Sequence, residues 1–148
     1  MRLLVRKGAD VLAPDDLGRT ALHWAVVRNG HTGTAVMLVL LECGADVHLK
    51  SDDGRTPLHD AAYRGQATAV QLFLDAGADL QSTTTDGSTP EDLATARGHL
   101  QTAAMLAAET VRRAACQAFA LGHQERLGAG SRVRWLDAGL VRMVLEQV

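Results

Sequence analysis

The sequence predicts an all-α chain built from a recurring pair of short helices, with β-turn or hairpin loops between the pairs and a helical extension at the C-terminal end. Two observations carry that prediction. Of the 148 residues, 24 are Ala and 21 are Leu, whereas Phe, Trp and Tyr together number 5. Small and unbranched side chains favour close-packed helices, and a β-sandwich would want more branched and aromatic ones. The second observation is periodic. Gly-Ala-Asp stands at 8–10, 44–46 and 77–79, and Thr20, Thr56 and Thr89 each precede Ala or Pro and follow Gly18, Gly54 or Gly87 by two residues. Both ladders step by 36 and then by 33 residues, so one unit recurs with a three-residue insertion in its first full copy.

The second unit shows each element most plainly. Thr56 is a good N-cap, Pro57 at the first helical position loses only an amide that would be unpaired anyway, and Leu58, Ala61 and Ala62 make a narrow apolar stripe at helical spacing. Gly65 ends that helix, Ala69 to Leu74 supply the second, and Gly77 occupies the place of a left-handed C-cap. Two helices this short cannot bury both faces, so they must stack on neighbouring units. The first copy, from Thr20 to Gly30, carries one residue more than its siblings, and two more fall before Gly44. Its first helix or turn is expected to be locally distorted. The last copy replaces Leu-His with Glu91-Asp92, which suits a helix N-terminus, and no Gly-Ala-Asp follows it.

The run Asp52-Asp53-Gly54-Arg55-Thr56-Pro57-Leu58-His59-Asp60-Ala61-Ala62, closed by Gly77-Ala78-Asp79, resembles an ankyrin repeat. The resemblance covers residues 3–108, about three and a half repeats, and implies a helix-turn-helix solenoid that binds a protein or peptide and performs no catalysis. The organisation it suggests is an array over 1–108, with a partial repeat at 1–15 and full ones at about 16–48, 49–81 and 82–108, followed by a tail over 109–148. Because the array opens on half a repeat, Leu3, Leu4 and Leu22 are expected to form an uncovered apolar face that drives concentration-dependent self-association.

The tail differs in charge. Residues 1–108 hold 9 basic and 13 acidic side chains, and 109–148 hold 6 and 4. Apolar residues at helical spacing from Leu100 predict a long helix to about Leu121, ended by Gly122 and the glycines at 128 and 130. A final amphipathic helix follows Asp137. One reading makes the tail a cap on the last repeat. In the other, the spacing of Leu136 to Leu145 resembles the opening helix of an F-box, although it lacks the proline usual after the first leucine; this would make the chain a substrate-recruiting adaptor of a ubiquitin ligase.

No chemistry assembles from the sequence, and neither catalytic residues nor a cofactor or metal site is expected. His23 and His59 hold equivalent places in successive units, too far apart to share a zinc ion, and hydrogen bonding to backbone is the expected role of each. Asp52, Asp53 and Asp60 are expected at an exposed turn tip without a pocket to perturb them. The net charge of −2 and the lack of stacking aromatics near the tail arginines argue against nucleic acid as a partner. The longest apolar run, from Ala35 to Leu41, is too short for a membrane span. Two cysteines, Cys43 and Cys116, build no disulfide framework, and the expected compartment is the cytoplasm or the nucleus.

Binding is therefore expected on the concave side of the array, at positions that vary in ankyrin repeats. In the first full repeat these are Asp16, Leu17, Arg19, Trp24, Val27 and Arg28; in the second, Asp52, Asp53, Arg55, Asp60, Tyr63 and Arg64; and in the third, Thr85, Asp86, Ser88 and Arg97. Trp, Tyr and Arg dominate interface energetics, which singles out Trp24 and Tyr63. The other role open to Trp24 is packing against the turn of the next repeat.

Overall fold

The computed structural model describes residues 13–28 and 30–126 of the chain. Among them are six helices and no strand: α1 (Ala21–Val27), α2 (Gly30–Glu42), α3 (Pro57–Tyr63), α4 (Ala67–Asp75), α5 (Pro90–Ala96) and α6 (Leu100–Arg126). α1, α3 and α5 are the first helices of successive repeats; α3 packs on both α1 and α5, and α2 and α4 pack behind them. The fold is the helical repeat solenoid that the spacing predicts.

Each first helix starts at the expected threonine. Thr89 shows the complete reciprocal cap: its Oγ1 accepts from the Asp92 backbone N–H at 3.2 Å, while the Asp92 carboxylate accepts from the Thr89 N–H at 2.9 Å. The Thr89 N–H and hydroxyl both donate to the Asp92 carboxylate and hold it below its usual range. In α1 and α3 a histidine takes the place of that carboxylate, with Nδ1 of His23 and His59 accepting from the N–H of Thr20 and Thr56 at 3.0 and 3.1 Å. The switch from His to Asp in the last repeat thus keeps the cap.

The turns ahead of these helices share one construction. Asp15, Ser51 and Thr84 each donate their N–H to the carbonyl four residues on, at 2.8–3.0 Å, and accept from Gly18, Gly54 and Gly87 three residues on. Adjacent turns are then tied by one backbone bond each, Asp52 N–H to the Leu17 carbonyl and Thr85 N–H to the Asp53 carbonyl. The expected hairpin loops are therefore turns with a single backbone bond between neighbours.

Behind the turns one core runs through the repeats, built on Leu22, Val26, Met37, Leu40, Leu58, Val70, Phe73, Ala94 and Leu106. Alanine fills the places where helices approach closely, and Ala61, Ala62 and Ala94 are fully buried. Leu22 is also fully buried, so it does not belong to an uncovered apolar face; Leu3 and Leu4 lie outside the described residues.

Two expectations about local structure are corrected. The expectation that the insertion in the first full copy distorts its first helix or turn is corrected for the helix, since α1 has 7 residues, like α3 and α5; Asn29, in the turn, lies outside the described residues. The extra length goes into α2, which begins at Gly30 and runs 13 residues against 9 in α4. A helix absorbs added residues by adding turns, and the place of α1 is fixed by its packing on α2 and α3. Nor does Gly122 end the last helix, which continues to Arg126. One internal glycine costs only about 1 kcal/mol relative to alanine, and Gln, Glu and Arg follow it.

The chain divides into two compact units, 1–112 and 113–148. In the first, Thr102 and Leu106 are buried while Leu100 is 73 % exposed. In the second, the described residues are the last part of α6. The F-box-like segment, Leu136 to Leu145, lies outside the described residues. Among those described, no helix is long and apolar enough to cross a membrane.

Candidate functional site

Asp15 organises the first repeat's surface, although the sequence pointed to its neighbour. Its Oδ1 accepts from the backbone N–H of Leu17 at 3.0 Å and of Arg19 at 2.8 Å. Oδ2 accepts from Arg19 Nε at 3.1 Å and from the Trp24 indole N–H at 3.0 Å. Partial desolvation pushes this carboxyl up, but the hydrogen bonds outweigh it and hold it at about 2. The Arg19 guanidinium lies 4.2 Å from the centre of the Trp24 ring. Trp24 is thus held by the turn of its own repeat and keeps 45 % of its surface open. A short acid two residues before a backbone N–H it can reach, and four before an arginine, was the available signal for Asp15.

One repeat on, Tyr63 closes α3 with two guanidinium groups over its ring, Arg55 at 4.8 Å and Arg97 at 3.9 Å. Arg55 comes from the turn of the same repeat and Arg97 from the end of α5. Arg55 also pairs with Asp53 at 3.3 Å and Asp60 at 3.5 Å. Asp53 is drawn down chiefly by the hydrogen bond from Ser51. Asp60 corrects an expectation: it does not stand at an exposed turn tip but lies on α3, with a side chain only 17 % exposed, and burial raises its pKa.

The other expected residues flank these clusters. Asp16, Leu17, Asp52, Thr85 and Asp86 are exposed around the turns. Thr85 Oγ1 donates to the Asp53 carbonyl, and the Ser88 N–H donates to Thr84 Oγ1. Arg28, Arg64 and Arg97 are the exposed C-cap residues of α1, α3 and α5, equivalent positions of three repeats. The structure thus gathers Arg19 with Trp24, and Asp53, Arg55, Asp60, Tyr63 and Arg97 into a second group, along one succession of turns and first helices. Among the described residues no three His, Cys, Asp or Glu stand close enough to share a metal ion.

A family profile described as ankyrin repeats (3 copies) matches residues 26–115, and a second, ankyrin repeats (many copies), matches residues 1–39. The chain belongs to the ankyrin repeat family. The match extends over the residues at the N-terminal end that carry only half a repeat motif. No curated protein matches the chain. As an ankyrin array it is a protein–protein interaction module, and its partners are proteins.

The ankyrin histidines divide into one satisfied and one orphaned group. Nε2 of His23 lies 3.0 Å from the Arg55 carbonyl of the next repeat, so its ring bridges two repeats. Nε2 of His59 is buried without a hydrogen-bond partner. Burial lowers the pKa of His59, while the backbone at Ser88 and Ser82 pulls weakly the other way without closing such a bond. A folded-state pKa below the ordinary 6.5 means that the unfolded chain binds more protons just below that pH. His59 therefore leaves stability intact above about 6.5 and removes it as the pH falls further, toward its folded-state value. Urea midpoints of the wild type and His59→Gln, compared at neutral and mildly acidic pH, should show the smaller acid loss in the variant. Equal losses in the two chains would deny His59 this role.

Proposed function

We propose that this ankyrin array binds a protein or peptide on the face made by its turns and the first helices α1, α3 and α5, and that Trp24 and Tyr63 anchor the contact. The observation that carries this reading is the pair of aromatic–guanidinium clusters on successive repeats. In each, an aromatic ring that retains exposed surface is held in place by charged neighbours, Arg19 for Trp24 and Arg55 and Arg97 for Tyr63. An anchor fixed before binding loses little side-chain freedom when a partner arrives, and Trp, Tyr and Arg are the residue types that carry most interface energy. Asp16, Leu17, Asp52, Thr85, Asp86 and Ser88 supply the surrounding rim.

Photo-crosslinking tests the face directly. A benzophenone side chain placed at Trp24 or Tyr63 of the full chain should capture a partner in cells, and one placed at Gln71, on the exposed side of α4, should not. Adducts from Gln71 alone would move the function to the other face. Once a partner is in hand, Trp24→Ala and Tyr63→Ala should each weaken binding by about 2 kcal/mol at a temperature where circular dichroism shows both variants still folded.

A further inference from the structure

The three C-cap arginines of the first helices form a ladder with one member per repeat. Arg28, Arg64 and Arg97 each stand eight residues after the N-cap threonine of their helix. All three are exposed, and among the described residues no carboxylate pairs with any of them, whereas Arg19 and Arg55 are both engaged by acids of their own repeats. The guanidinium of Arg97 rests 3.9 Å from the centre of the Tyr63 ring, which fixes its position while leaving its donors open. Three exposed arginines without a carboxylate partner, one at the same C-cap position of each repeat, suit an anionic ligand whose charges recur.

The spacing of the arginines is set by the stack. Packed helices lie about 8–10 Å apart, so successive arginines start about that far from one another. A peptide in the polyproline II conformation has three residues per turn and rises about 3.1 Å per residue, which returns a side chain to the same face every 9 Å or so. A β-strand cannot do this, because its side chains alternate and residues three apart point to opposite faces. Trp24, one turn ahead of Arg28 on α1, keeps 45 % of its surface open and is the kind of aromatic surface on which a proline of such a peptide docks, while the Tyr63 ring beside Arg64 is covered by Arg55 and Arg97.

We infer that the partner presents an acidic, proline-containing segment in the polyproline II conformation, with a carboxylate at every third residue set against Arg28, Arg64 and Arg97. This rests on the reading that α1, α3 and α5 form the binding face, and it names the chemistry of what binds there.

Fluorescence polarisation with the full chain provides the test. The probe is a labelled peptide with glutamates at every third position and prolines between them. It is compared with a peptide of the same composition whose glutamates alternate with single residues, and with a labelled single-stranded RNA of similar charge. The every-third peptide should bind at least about fivefold more tightly than either, and the binding should weaken as salt is raised. Arg64→Glu should weaken it about tenfold, and a peptide carrying lysine in place of the central glutamate should recover most of that loss. Arg64→Gln, with a smaller expected loss, serves if the charge reversal alters the melting curve. Equal affinity for both peptide spacings, tighter binding of the RNA, or no effect of either Arg64 variant would overturn the ladder. If crosslinks still form at Trp24 and Tyr63 while no acidic peptide binds, the ladder falls and the face stands. If those crosslinks are also missing, both fall.

Discussion

Phe73→Ala should destabilise the array by about 3–5 kcal/mol, a large part of the roughly 5–15 kcal/mol that holds a domain of this kind together. Among the described residues Phe73 is the largest of the fully buried side chains. It lies on α4, the second helix of the middle full repeat, and a core continuous from Leu22 to Leu106 passes through it. Its removal leaves a cavity that rigid neighbours on both sides cannot close. A solenoid is stable only through its interfaces, so a loss in the middle weakens the coupling of the repeats on each side as well as the repeat itself. Urea unfolding followed by circular dichroism measures this directly. Leu38→Ala is the control, since that side chain is 44 % exposed and should cost well under half as much. A midpoint shift for Phe73→Ala no larger than the control's would mean that the repeats do not share one core.

The second large effect belongs to the backbone. Gly54→Ala should cost about 2–4 kcal/mol, from the left-handed conformation and from a collision. Gly54 has φ +75°, and a Cβ built there would lie 2.7 Å from the Thr85 nitrogen and 3.0 Å from the Thr84 carbonyl carbon. Those atoms belong to the turn of the next repeat, where the Thr85 N–H is donated to the Asp53 carbonyl at 3.1 Å. A methyl group at this point must push the two turns apart and break that bond. Gly77 separates the two causes: its φ is +84°, with nothing within 4 Å of a Cβ. Gly77→Ala should therefore cost only the conformational part, about 1–2 kcal/mol. If the two substitutions shift the urea midpoint equally, the turns do not rely on their close approach.

The periodic part of the fold could be read from the sequence because each unit repeats its own punctuation. Thr20, Thr56 and Thr89 open helices, Gly65 and Gly98 follow first helices, and Gly44 and Gly77 follow second ones; Gly30, which begins α2, is the exception. The exceptions arise where the neighbourhood decides. An extra residue in the first copy had two places to go, and only the packing of α1 against α3 excludes the first helix. Gly122 looked like a stop because composition cannot weigh a single glycine against the helix formers on both sides of it. His23 and His59 are alike in sequence context, yet the ring nitrogen of one meets a carbonyl 32 residues on and the other meets none. Among the surface residues, Trp24, Tyr63 and the arginines were visible by residue type. The part of Asp15 was not, since it depends on where the indole N–H comes to rest.

The bonds that sew one repeat to the next reach a fixed distance along the chain. His23 to Arg55, Lys50 to Thr83, Asp53 to Thr85 and Val26 to Gln66 are separated by 32 to 40 residues. Such a stitch length does not grow when a unit is added, because every new unit brings both halves of its own seam. Lengthening the array by duplication therefore leaves the older seams in register, and the search each seam needs in order to close stays as short as before. A cut within one repeat would likewise undo the seams it touches and leave those farther along closed.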